Sequence, residues 1–124
     1  VGAEVVPEGK SLGEPDVVVE CTGRPEVWER AVEEVGPGGT VLFYGGCPGG
    51  TTVRLPLDRV CHRNLTLLGA FHFTPAAVAE ARELLLGGRI PCGELVTRVL
   101  PLEGYREAFD GLERGEAVKF CFEP

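Results

Sequence analysis

Three short segments carry the residue types that could hold a ligand: Thr22-Gly23, Gly45-Gly46-Cys47-Pro48-Gly49-Gly50 and Ala70-Phe71-His72. Each follows an apolar run that reads as a strand. Ligands of open α/β sheets bind outside the carboxyl ends of strands, so three such loops on one edge would form one side of a cleft. Glycine in these loops admits close approach of main chain to a ligand. Turn chemistry alone also accounts for glycine there, and it is the plainer account of the Gly36–Gly39 cluster. Neither cluster has the spacing G-x-G-x-x-G or G-x-x-x-x-G-K-[ST].

Other chemistry finds less support. Ser11 is the only serine and lies in a polar stretch, so a Ser-His-Asp arrangement has no nucleophile in place. Cys61-His62 could touch a metal, but a site needs three or four convergent ligands. Residues adjacent in a strand also point to opposite faces. His72 follows a strand end, where it reads either as a hydrogen-bonded structural histidine or as an acid-base group bordering the cleft. The five cysteines form no C-x-x-C pair and are odd in number, which argues against a disulfide framework or a zinc ribbon. They read as reduced, mostly buried thiols.

These loops need strands and helices to position them. Asp16-Val17-Val18-Val19-Glu20 is a β-branched run without alternation, which predicts a strand covered on both faces. Pro25 opens a helix whose apolar face is Val27, Trp28, Ala31, Val32 and Val35, and Gly36-Pro37 stops it. Thr40–Tyr44 and Leu65–Phe71 are the next full strands. Thr51–Leu55 alternates polar and apolar residues and reads as a half-exposed edge strand closed by Pro56. A brief strand is expected near Glu4–Val6, followed by a loop over Glu8–Glu14. Thr74 and Pro75 start a second helix with a buried stripe of Val78, Ala81, Leu84 and Leu85, ended by Gly87. From Pro91 on, a strand Val96–Leu100, a helix Leu102–Glu113 and a strand Val118–Phe122 complete the chain. Tyr105, Ala108, Phe109 and Leu112 share one face of that helix.

The fold class is therefore α/β, a mostly parallel sheet with flanking helices and right-handed crossovers. At 124 residues a single domain is expected. The net charge of −7 and the scattered basic residues disfavour nucleic acid as a partner. No apolar run approaches the roughly 20 residues of a membrane span, and no signal-peptide pattern begins at Val1, so a cytoplasmic location is expected.

The motif order resembles the medium-chain dehydrogenase/reductase family, which includes zinc-dependent alcohol, polyol and threonine dehydrogenases. Asp16–Gly23 is similar to its fourth strand, Gly38–Gly45 to its fifth and Leu65–Phe71 to its sixth. Leu84–Ile90, Leu95–Leu102, Glu107–Phe109 and Gly115–Lys119 follow its C-terminal pattern in order. The resemblance implies an incomplete Rossmann-like domain, with a short tail of the catalytic domain at about residues 91–124. It further implies that the glycine-rich phosphate turn, the acidic ribose-binding residue and the zinc ligands belong to segments this chain lacks. What remains is the nicotinamide side of an NAD or NADP site. Its residues would be Cys21, Thr22 and Arg24, then Tyr44, Gly45 and Gly46, then Ala70, Phe71 and His72. Lys119 stands where related enzymes contact the pyrophosphate. No catalytic or metal-binding residue is assigned, and zinc is expected only in a complete family member. The family also implies a homodimer paired through Thr51–Leu55, or a missing N-terminal half as partner. Two classes of function follow. One is the C-terminal cofactor-binding part of an NAD(P)-dependent oxidoreductase, not catalytic by itself. The other is a stand-alone remnant acting as a dimerisation or interaction module.

Overall fold

Three parallel strands carry the loops of interest: β1 (Val17–Glu20), β2 (Thr40–Phe43) and β3 (Thr66–Gly69), hydrogen-bonded in that order. The computed structural model describes residues 2–7 and 9–124. Val1 lies outside the described residues, as does Glu8, the first residue of the expected Glu8–Glu14 loop. Residues up to His72 form one compact unit and those from Phe73 onward form another.

In the first unit, α1 (Pro25–Glu34) begins at Pro25, where the missing donor costs nothing. Trp28, Ala31, Val32 and Val35 recur at helical spacing and face the sheet. Ala31, Val32, Val35, Val41 and Phe43 are buried, with Val18, Trp28, Leu55, Val60, Leu65 and Leu67 packed around them. The Trp28 and Phe43 rings stack with centroids 4.5 Å apart, which fixes α1 over the last residue of β2. Burying a valine stabilises by about 1.5 kcal/mol or more, so this cluster dominates the unit.

The helix has no basic residue in its last turn. Arg59 of α2 (Leu57–His62) supplies one from outside. Its guanidinium donates to the carbonyls of Val32 at 3.1 Å and Val35 at 3.4 Å, and also to that of Glu33. Cationic donors at a helix C-terminus satisfy open carbonyls and complement the dipole. The sequence reading did not anticipate α2.

Several expectations fail here. Val17 and Val19 are 60% and 51% exposed, so β1 is covered on one face rather than both; α1 packs beneath only one side of the sheet. Residues near Glu4–Val6 form no strand, and neither do Thr51–Leu55. A strand needs a ladder partner for its backbone groups. Arg54 N instead donates to the Glu29 carboxylate at 2.8 Å, while Leu55 turns into the core. Cys21, Cys61, Cys92 and Cys121 are exposed residues and Cys47 is half-buried, so the cysteines are free but not buried.

The second unit begins with α3 (Pro75–Leu86). Thr74 caps it, its hydroxyl accepting from Ala77 N at 3.2 Å. The expected stripe of Val78, Ala81, Leu84 and Leu85 is not buried; no residue of α3 is. An amphipathic face is buried only where another element covers it. A single helical turn, α4 (Cys92–Leu95), precedes β4 (Arg98–Pro101). This strand pairs in parallel with β5 (Phe120–Glu123), and both start two residues later than expected. The helix expected over Leu102–Glu113 splits into a 3-10 turn, Leu102–Gly104, and α5 (Tyr105–Glu113). Of its expected face only Ala108 is buried, alongside Gly111 and Leu100. Among the described residues no helix is long and apolar enough to cross a membrane.

Candidate functional site

The register of the first sheet brings its three carboxyl ends level: Glu20 lies beside Phe43, and Phe43 beside Gly69. The loops that follow are therefore neighbours. Loop one holds Cys21, Thr22 and Arg24, loop two Tyr44, Gly45 and Gly46, and loop three Ala70, Phe71 and His72. Backbone bonds continue past the strands. Tyr44 N and Gly45 N both donate to the Glu20 carbonyl, at 2.9 and 2.8 Å, and Ala70 N donates to the Phe43 carbonyl at 3.1 Å.

Loops one and two touch main chain to main chain. A Cβ on Gly23 would lie 2.0 Å from the Gly46 carbonyl oxygen, and one on Gly45 would lie 2.2 Å from Gly23 N. Gly23 also has φ +72°, a conformation that side chains disfavour. By contrast, Cβ positions on Gly46 and Gly69 meet nothing within 4 Å. The first pair of glycines thus serves loop-to-loop contact, while the second leaves open space on the sheet's carboxyl edge.

At the centre of this joint is a residue that the sequence reading passed over. Glu20 ends β1 at 3% exposure. Its carboxylate accepts from Thr22 N at 2.6 Å, Thr22 Oγ1 at 2.5 Å and Gly23 N at 3.1 Å. Burial pushes this carboxyl up, but the hydrogen bonds from the Thr22 hydroxyl and the Thr22 and Gly23 amides outweigh it and hold it below the usual glutamate range. The buried Trp28 indole N–H falls outside hydrogen-bond geometry, yet lies near enough to favour the charged form. A signal was present in the sequence: an acid closing a valine run is costly unless several donors meet it.

The remaining site residues are more open. The single proton of the Thr22 hydroxyl goes to Glu20, and its oxygen accepts from Arg24 N at 3.2 Å. A ligand therefore meets Thr22 through its main chain or a spare lone pair. Arg24 pairs with Glu26 at the surface. Cys21 and Tyr44 are exposed. His72 has φ +61° and packs its ring on Phe71, centroids 3.8 Å apart. Both residues are exposed, and the hydrogen bond that one of the two readings of His72 expected is not found among the described residues. Lys119 lies in the second unit, exposed just before β5, where its carbonyl accepts from Thr97 N at 2.8 Å.

Cys61 and His62 lie on α2, not on a strand, and both are exposed. Among the described residues no three His, Cys, Asp or Glu side chains converge as a metal site would require. These residues therefore do not fit zinc.

Residues 3–87 match the family described as zinc-binding dehydrogenase. A probable D-xylulose reductase A of Arthroderma otae is 29% identical over 118 residues, covering 94% of this chain and 33% of that protein. The sorbitol dehydrogenase of Gallus gallus is 34% identical over 108 residues, covering 85% of this chain and 29% of that protein. Among solved structures, a putative zinc-binding dehydrogenase from Sinorhizobium meliloti 1021 bound to NADP superposes with a TM-score of 0.78. It is 29% identical, and the match covers 90% of this chain and 32% of that one. The chain thus spans about a third of the length of these relatives. Together with parallel strands and flanking helices of the Rossmann-like kind, the match over residues 3–87 means that this chain belongs to the zinc-binding dehydrogenase family.

Proposed function

We propose that this chain is the nicotinamide-side portion of the cofactor-binding domain of an NAD(P)-dependent alcohol or polyol dehydrogenase, and that it does not catalyse by itself. The observation that carries the reading is the level carboxyl edge of β1, β2 and β3, with open main chain at Gly46 and Gly69. Cys21, Thr22, Gly45, Gly46, Ala70 and Phe71 would hold the nicotinamide and its ribose through their backbone, with Arg24, Tyr44 and His72 bordering them. The cofactor, when bound, supplies hydride chemistry at the nicotinamide ring. The protein's part is to present that ring and shield one of its faces. Lys119 is proposed as a pyrophosphate contact. The names of the relatives point to sugar alcohols and their ketoses as the substrate class of the complete protein.

Trp28 is the only tryptophan and stacks on Phe43, directly before loop two. Titration of the chain with NADH should change Trp28 emission saturably; no change up to millimolar NADH would overturn cofactor binding by this portion. The exposed valines of β1 favour a second reading, an interaction module that pairs with another chain. On that reading Thr51–Leu55 would become a strand only on meeting its twin in a homodimer. Sedimentation of the chain as a monomer at all concentrations would exclude that homodimer.

A further inference from the structure

Glu20 stands where two candidate loops meet at a polar centre. Its carboxylate gathers the Thr22 and Gly23 amides and the Thr22 hydroxyl of loop one. Its backbone carbonyl takes both amides that open loop two. A Cβ on Gly45 would also lie 2.6 Å from Glu20 Oε2, so the carboxylate touches loop two with no room between them. We propose that Glu20 is a positioning residue, whose ionised carboxylate clasps loops one and two into a single rigid edge and so sets the main-chain geometry presented to the nicotinamide. The clasp follows from geometry alone; its effect on the cofactor rests on the reading proposed above.

Protonating the carboxyl removes an acceptor and places a fourth proton among three donors. The group is held below the usual glutamate range. Its stabilising effect is therefore complete above the unfolded glutamate value and is lost as pH falls through the lower folded value. Lys10, Arg30 and Glu34 line the same hollow between β1 and α1, and Cys21, Arg24 and Tyr44 flank Glu20 in the loops. Of these only Glu34 also titrates in acid. It too is held low, mainly by the Leu12 amide, so residue-resolved detection is needed.

The test is amide NMR of the ¹⁵N-labelled chain between pH 7 and pH 3. Thr22 and Gly23 should resonate far downfield. They should titrate together with Gly45 and Gly46 at one midpoint below the usual value of 4.5. T22V should raise that midpoint and T22S should restore it. E20Q should abolish the shared titration and shift the Gly45 and Gly46 amides. Independent behaviour of Gly45 and Gly46, or an unchanged midpoint in T22V, would overturn the clasp. If E20Q fails to fold, the wild-type titration and the two Thr22 variants still decide. NADH added to the folded E20Q chain should bind at least about tenfold more weakly, since misplaced contacts lose much of their worth. Absence of any NADH-induced shift in the wild type would count against the cofactor reading, while the pH arm would still judge the clasp.

Discussion

Two strand-helix-strand segments of this chain, β1-α1-β2 and β4-α5-β5, share a topology and differ in what fills them. Each pairs two four-residue parallel strands through one helix. The first is packed by volume: Val32, Val35 and Val41 are fully buried, and Trp28 stacks on Phe43. The second is packed by proximity. Gly111 lets the Phe120 ring come so near that a Cβ would lie 3.1 Å from it, while Phe109 and Leu112 on the same helix stay exposed. A parallel crossover thus needs a close helix-sheet contact but not a large buried side chain, and the stability it contributes follows the area buried.

The comparison can be broken first at the glycines. Gly23→Ala should destabilise the first unit by about 4 kcal/mol, or unfold it, since its Cβ collides with backbone at a positive φ. The collision distinguishes it from Gly115→Ala, where φ is equally positive at +69° but nothing lies within 4 Å; that change should cost about 1–2 kcal/mol. Urea unfolding followed by Trp28 emission reads the first, and methyl NMR of the second unit reads the other. Equal costs would mean that the contact between loops one and two is not tight. Val32→Ala should lose about 2–3 kcal/mol in the first unit through transfer and cavity terms, whereas Val118→Ala, exposed beside β5, should stay within about 0.5 kcal/mol. A comparably small effect belongs to the exposed pair Arg98–Glu107, 2.7 Å apart: Arg98→Ala should change the unfolding free energy by no more than about 0.5 kcal/mol, and salt should erase the difference.

Elements whose signal is local could be read from the residues. The valine run of β1, the proline-opened α1 and the Thr74 cap of α3 each announce themselves within a few positions, and each lies where expected to within a residue or two. Failures arose where conformation depends on a distant partner. Alternation in Thr51–Leu55 promised a strand, but a ladder needs a second backbone and Glu29 took the Arg54 amide instead. The stripe on α3 and the outer face of β1 have the composition of buried surfaces without a covering layer in their own unit. Glu20 was passed over although an acid closing a valine run signals a buried charge; which donors meet it, those of Thr22 and Gly23, only the folded chain shows.

Arg59 carries a consequence for anyone reshaping this chain. The terminus of α1 is finished by a side chain 24 to 27 positions downstream of the carbonyls it serves. An excised segment ending after β2 would keep every strand and helix of the first crossover yet leave α1 to fray from Val32 onward. A minimal portable piece must therefore run at least through α2, because Val35, where α1 ends, is fully buried and cannot be exchanged for a stop signal without opening the core.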